Sequence, residues 1–439
     1  MDRLIYTKLL KWKNSEYRKP LILLGARQVG KTYILNQFGR QEFDTLVYIN
    51  CHNNAFAESL FRDFDMNRIL YDIDQQYEQH IVAGKTLLVF DEIQEVHNGI
   101  SSLKYFCEEC RELHVAVAGS LLGISLREDE SYPVGKVDTL RMYPMTFTEF
   151  LLACNRKNLC SSLDGCLWEN LTTSHETLTD LLRQYYFCGG MPEAVQAWVE
   201  SRDARRVRQI QLEILDAYER DIAKHTSVMA GRIHQVWSSI PAQLAKENKK
   251  FIFGMVKKGA RAAEYELALQ WLADAGLVYR VERCKSAQLP LKFYADSSAF
   301  KIYLLDVGLL AAMTETVPKD ILLGSKAFSE FKGAFSENYA LEQIKTIGNI
   351  GVYYYSKDNS QLEIDFLLQC ADRIIPTEVK AEENVKSKSL HTFVQTNQPG
   401  MKGLRVSMKP YTKQEWMENI PLYGVESYLK KQCSDIMTD

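Results

Sequence analysis

LILLGARQVGKTYIL, residues 21–35, decides how the rest of the chain reads. Four apolar residues lead into a G-x-x-x-x-G-K-[ST] pattern at 25–32, and a helical stretch opens directly after it. A strand, a glycine-bearing turn and a helix start in that order build an anion cradle, with backbone N–H groups turned inward and the positive end of the helix dipole facing the same point. Average residue frequencies place the bare pattern in about one or two of every hundred chains of this length, and the strand and helix around it make chance rarer still. The expected nucleotide-binding loop comprises Gly25, Ala26, Arg27, Gln28, Val29, Gly30, Lys31, Thr32 and Tyr33. Gly25 and Gly30 permit the turn, Lys31 would neutralise β- and γ-phosphate oxygens of ATP, and the Thr32 hydroxyl would bind Mg²⁺.

The matching half of such a site is TLLVFDE at 86–92, an apolar strand that ends in two acids. Asp91 would hold Mg²⁺ through water, and Glu92 would orient or deprotonate the attacking water, which makes the chain an ATP hydrolase as well as a binder. An Asp-Glu pair capping a helix after a core strand is the competing reading. Ser120, at the end of VAVAGS, would either sense the γ-phosphate or cap the helix at LLGISL, and both readings stand. Arg141, Arg220 and Lys136 are candidates for a positive charge on the transition state, and spacing selects none of them.

Short apolar runs at 21–25, 46–50, 86–90 and 115–119 alternate with polar helical stretches, as in a parallel sheet covered on both faces, with ligands at the strand C-terminal ends. Helical patterning follows from 150 to about 228, broken at CGGMP, 188–192, where two glycines and a proline mark a sharp turn. From 230 to 325 the order is helix at HQVWSSIPAQLA, helix from Ala262 to Ala275, Gly276, then strands LVYRVER and KFYAD, which suggests a winged-helix unit. A helix at 331–347 and the strands VYYYS, LEIDFLLQC and RIIPTEVKA suggest a further α/β domain. The expected division is an ATPase core at 1–152, a helical lid or connector at 153–229, a winged-helix-like domain at 230–326 and a C-terminal domain at 327–439.

Composition fits a modular protein without a strong field. The chain has 439 residues, with 53 Lys+Arg against 56 Asp+Glu, so a DNA or protein contact would have to be local. Ten irregularly spaced cysteines in a long chain fit a reducing compartment, and the one C-x-x-C, at Cys107 and Cys110, lacks the second pair that a zinc site needs. No apolar run approaches the roughly 18 residues of a membrane span, and the charged start does not resemble a signal peptide. The expectation is a soluble cytoplasmic protein without membrane contact, free to form oligomers.

Taken together, GARQVGKT, FDEIQEV, AGS, YPMTFTEFL at 143–151 and CGGMPEAV at 188–195 resemble the bacterial and archaeal AAA-14 ATPases of the AAA+ class. KIYLLDVGLLAAM at 301–313, KGAFSENYALEQI at 332–344, YYYSKDNSQLEIDFLL at 353–368 and IIPTEVKAEENVKSKSL at 374–390 resemble the DUF4143 region that accompanies that ATPase domain. The resemblance covers essentially the whole chain. It implies an α/β fold in three parts: a P-loop NTPase parallel sheet with the Ser120 strand between the strands of the two ATP motifs, a helical and winged-helix middle, and a restriction-endonuclease-like C-terminal domain. Members often carry Arg after the glycine preceding the YP-x-x-F-x-E-F run. Here Lys136 follows Gly135, and lysine does not reproduce the guanidinium fork.

Glu337, Asp365, Glu378 and Lys380 resemble the PD-(D/E)-x-K nuclease pattern. In that reading Asp365 and Glu378 would share Mg²⁺, Lys380 would steady the developing charge and Glu337 would complete the metal environment. The alternative is an ion-pair cluster in a fold that binds without cutting. Three functions therefore stand side by side: an ATP-driven switch of the C-terminal domains, an ATP-regulated metal-dependent DNA nuclease, and a non-cutting nucleotide-dependent scaffold. The segment KKFIFGMVKKGAR, 249–261, with five basic residues and no acid, is a candidate contact for nucleic-acid phosphates.

Overall fold

The computed structural model describes residues 1–439 apart from 120–131, 247–248, 325–330, 358–361, 382–386, 398–399 and 435–439. Leu21–Leu24 (β1), Thr45–Asn50 (β2), Thr86–Asp91 (β3), His114–Ala118 (β4) and Asp138–Arg141 (β5) form one sheet in the order β2-β3-β4-β1-β5, with every neighbouring pair parallel. β3 and β4 are buried along their whole length, which is why their sequences read as unbroken rather than alternating apolar runs. β4 lies between β1 and β3, the extra-strand order that the resemblance implies.

The helix Lys31–Glu42 turns Ile34, Leu35 and Phe38 inward at helical spacing. Val47, Ile49, Phe61, Ile69, Leu88, Phe90, Phe106 and Val117 belong to one core cluster on this sheet. At about 1.5–3 kcal/mol per fully buried large apolar side chain, such a core holds the strand ends in fixed positions. The tips of β1 and β3 are therefore a rigid platform for the residues that follow them.

The chain divides into two compact units, Met1–Tyr143 with Asp274–Gly276, and Pro144–Ala273 with Leu277–Asp439. In the second unit, the helices Lys157–Asp164, Trp168–Thr173, His175–Cys188, Pro192–Ser201 and Ala204–Ala223 fill the segment expected to be helical. Ser227–Leu244 and Ala262–Asp274 follow. Val278–Cys284 (β6), Ala295–Leu304 (β7), Ile350–Ser356 (β8), Glu363–Cys370 (β9), Arg373–Lys380 (β10), Gly403–Ser407 (β11), Thr412–Lys413 (β12) and Met417–Pro421 (β13) form a single mixed sheet in the order β12-β13-β11-β10-β9-β8-β6-β7.

This sheet differs from the expected division at 326/327. The two strands read as a wing pair antiparallel with each other, but Glu282–Cys284 of β6 also pairs in parallel with Tyr353–Tyr355 of β8. A two-stranded ribbon is marginal by itself, and here its open edge is satisfied by the C-terminal strands. The second strand is also displaced: Leu291–Tyr294 is a 3₁₀ turn with Phe293 84% exposed, and the extended run starts at Ala295.

The CGGMP turn is fixed by contacts that only glycine allows. Gly190 donates its N–H to Asp306 Oδ2 at 2.6 Å and accepts from Met145 N at 2.6 Å. A Cβ there would stand 2.1 Å from the Met145 carbonyl oxygen. Asp306 also caps the helix Val307–Met313 by accepting from Leu309 N at 2.8 Å. The motifs CGGMP and LLDVGLL, more than a hundred residues apart, are thus one packed joint.

Cys370, at the end of β9, and Cys433 form a disulfide across a sequence separation of 63, whereas Cys107 and Cys110 are free thiols. Spacing carried no signal for a pair brought together by a sheet and the helix Val425–Ser434. Among the described residues, no helix is long and apolar enough to cross a membrane.

Candidate functional site

The loop after β1 has the conformation that its glycines predict. Gly25 and Gly30 have φ of 154° and 94°, and Gln28 is left-handed at 67°. A Cβ on Gly25 would lie 2.4 Å from the Met142 carbonyl oxygen, so the loop passes β5 at a distance that side chains forbid. Arg3 fixes the far side, donating to Val29 O at 2.8 Å and to Tyr143 O at 2.7 Å.

Lys31 and Asp91 come together at this loop. The Thr32 hydroxyl donates to Asp91 Oδ2 at 2.6 Å, and the Tyr48 hydroxyl donates to the same oxygen at 2.8 Å. Backbone N–H of Glu92 donates to Asp91 Oδ1 at 3.1 Å. The carboxylate is thereby oriented from three directions, and the parallel pairing of Asn50 with Asp91 brings Tyr48 within reach. Burial first, then the hydrogen bond to Asp91, pushes the Tyr48 phenol well above its ordinary range, so it stays a donor.

Lys31 is almost fully buried, and its ammonium donates to the loop carbonyls of Gly25 and Ala26, both at 2.8 Å. Burial lowers its pKa to about 8 despite the opposing charges of Glu92 and Asp91. Glu92 sits at φ 53° one residue past the strand, and its backbone N–H bonds to Ala118 O at 2.7 Å. A left-handed glutamate immediately after a buried strand is the kind of local strain found where a side chain must be aimed. Tyr33 is 57% exposed on the first helical turn.

A magnesium nucleotide suits these groups: a glycine cradle, an ammonium, and a hydroxyl and carboxylate already in contact present a donor set for phosphate and one hard cation. Ser120 lies outside the described residues. Lys136 is tied to Glu108 at 2.8 Å, Arg141 is registered beside Leu24 at the end of β5, and Arg220 is exposed on the helix Ala204–Ala223. Arg3 and Tyr48 were missed in the sequence, because an arginine near the start of the chain and a tyrosine in a strand carry no motif.

The C-terminal group behaves differently. Glu337 Oε1 is bound by Lys249 Nζ at 2.6 Å and Oε2 by the Tyr303 hydroxyl at 3.1 Å. Lys301 pairs with Glu363 at 2.6 Å, Lys380 with Glu378 at 2.9 Å, and Asp365 Oδ2 accepts from Val379 N at 2.8 Å. Burial and then the charge of Glu337 raise Asp365 to about 7. Burial opposes ionisation of Glu337, but Lys249 and Lys301 outweigh it and hold the carboxyl below its usual range. The four sequence-selected residues do lie in one electrostatic neighbourhood, since Glu378, Asp365 and Glu337 all act on Lys380. Among the described residues, no three acids, histidines or cysteines are placed together as metal ligands. The basic segment is also smaller than its sequence suggests, because Lys249 is buried in this cluster while Lys250, Lys257, Lys258 and Arg261 remain exposed.

Comparison with known proteins is consistent with this layout. Residues 17–151 match an AAA domain family, AAA_14, and residues 332–425 match a domain of unknown function, DUF4143. Residues 179–320 match another domain of unknown function, DUF8612, which spans the division expected at 229/230. No curated protein gives a significant match. Among solved structures, the Aeropyrum pernix ORC1 protein in complex with DNA matches at 12% identity over 71% of this chain and 90% of that one, with a TM-score of 0.30, too low a value to fix fold or function. The family-model matches are thus to an AAA domain of the AAA_14 type in the first part of the chain and to DUF4143 near its end.

Proposed function

We propose that the chain is an ATPase in which the first unit binds ATP with Mg²⁺, hydrolyses it, and uses the cycle to alter the second unit. The observation that carries the reading is the meeting of Thr32 and Asp91 at 2.6 Å beside a buried Lys31 at a helix N-terminus. Bound Mg²⁺ would supply charge neutralisation on the phosphate oxygens, and Thr32 and Asp91 are the residues that would hold it. Lys31 would exchange the Gly25 and Ala26 carbonyls for phosphate oxygens. Tyr48 keeps Asp91 oriented, and Glu92 would orient or deprotonate the attacking water. Backbone N–H groups from Gly25 to Tyr33 would cradle the phosphates, and Ser120 stays a candidate γ-phosphate sensor or helix cap on sequence grounds alone.

The titration of Lys31 gives a direct test. In nucleotide-free protein this amine loses its charge as pH rises through about 8, whereas an amine against phosphate must be charged. Binding then takes up a proton above that pH, and ATP affinity is expected to fall about tenfold from pH 7 to pH 9. Calorimetry in buffers of different ionisation enthalpy reads both effects. No ATP binding at any pH rejects the site, and an affinity flat across this window with no proton uptake rejects the lowered pKa of Lys31.

Arg3 supports the coupling. It bonds the P-loop at Val29 and the main chain at Tyr143, the last residue of the first segment, so a change in the loop reaches the point where the chain leaves that unit. Arg3→Met is expected to weaken ATP binding about tenfold, the scale of one lost charged hydrogen bond. It should also remove any ATP-dependent change in protease sensitivity of the second unit; unchanged sensitivity in the variant would rule out this route. The exposed Lys250, Lys257, Lys258 and Arg261 are the local surface proposed to meet a DNA or protein partner.

A further inference from the structure

We infer that the acidic cluster of the DUF4143 region is a metal-independent site, in which the ammonium groups of Lys249 and Lys301, paired with Glu337 and Glu363, supply the positive charge that its carboxylates need. Each carboxylate already has a partner. Lys249 and the Tyr303 hydroxyl use both oxygens of Glu337, Lys301 binds Glu363, Lys380 binds Glu378, and Val379 N–H binds Asp365. The two central lysines are not surface residues that have folded down. Lys249 is 8% and Lys301 1% exposed, and Lys301 also lies over the Tyr354 ring at 4.9 Å. The backbone holds them near one another, since Lys250, next to Lys249, forms an isolated antiparallel bridge with Lys301.

Mg²⁺ requires several oxygen ligands in near-octahedral array and gives up its water reluctantly. A dication entering here would have to displace two hydrogen-bonded ammoniums and then remain beside them in a medium where like charges repel strongly. Two buried lysines on protein stems carry the same total charge as one divalent ion, and their desolvation is met on folding by the surrounding carboxylates. Glu378 Oε2, a fully buried oxygen without a hydrogen-bond partner, belongs to a residue whose other oxygen is committed to Lys380. Phosphodiester cleavage dependent on Mg²⁺ or Mn²⁺ is therefore outside the chemistry of this cluster.

The test uses the full chain, nucleotide-free, carrying Asp91→Asn so that the first unit contributes no metal contact. Mn²⁺ titrated to millimolar concentration should leave its free-ion paramagnetic resonance signal undiminished and the melting temperature unmoved. Lys249→Met should lower the melting temperature by about 10 °C, because it strands Glu337 as a buried unpaired charge. Lys249→Met combined with Glu337→Gln should recover most of that loss. Saturable Mn²⁺ binding that Asp365→Asn removes would overturn the inference, as would a double variant no more stable than Lys249→Met alone. Both readouts are independent of ATP turnover, so the ATPase reading can fail while this one stands.

Discussion

Replacing Lys31 with alanine is expected to lower ATP turnover by about 10²–10³-fold, the scale for removing one charged donor from a transition state, and to weaken ATP binding with it. The fold should survive, because the ammonium bonds only to the Gly25 and Ala26 carbonyls of its own loop. Glu92→Gln offers the complementary outcome. Its amide cannot accept a proton but keeps the size and the left-handed backbone of the original, so binding should stay within a few-fold while turnover falls by about 10²–10⁴. Phosphate release and fluorescent-nucleotide titration on both variants separate the two roles. Wild-type turnover in Lys31→Ala would remove the first unit from the chemistry, and wild-type turnover in Glu92→Gln would move the base elsewhere.

Gly190→Ala should be severely damaging to the second unit. The added carbon would stand 2.1 Å from Met145 O and 2.8 Å from Met145 N, and both are backbone atoms with nowhere to go. Those atoms are themselves committed: Met145 N donates to Gly190 O, and Met145 O accepts from the buried Tyr185 hydroxyl. Relief would break the turn and release Asp306, which caps the helix Val307–Met313. Overpacking plus lost buried hydrogen bonds is expected to cost more than about 3 kcal/mol, a fall of roughly 10 °C in melting temperature for a unit of this size. Gly231→Ala, where an added carbon meets nothing within 4 Å, is the control and should be neutral or slightly stabilising. A melting curve for Gly190→Ala within 2 °C of wild type would contradict the packing described for this joint.

The proposed ATP site was legible for a physical reason. Its glycines, lysine, threonine and two acids lie within a few residues of strand ends, and local spacing plus a parallel sheet suffices to bring strand ends together. The same logic made the order β3-β4-β1 readable once the family resemblance was seen. Arg3 and Tyr48 were invisible because each reaches the site across the fold, 26 residues from Val29 and 43 from Asp91 in sequence.

At the other end of the chain, the alternation in Thr-Glu-Val-Lys correctly placed Glu378 and Lys380 on one face, yet it could not say what else would face them. Lys249 arrives from a segment that reads as a basic surface, and Lys301 from the middle of an apolar strand. The merging of β6 and β7 with the C-terminal strands and the pairing of Cys370 with Cys433 are of the same kind. The amino-acid sequence by itself determined the nucleotide loop, its partner acids and the type of most elements, because those depend on interactions between near neighbours. Tertiary structure alone decided which charges meet in the second unit, since a buried carboxylate takes its state from whichever ammonium or N–H the fold carries to it, as Lys249 reaches Glu337 across 88 residues of chain.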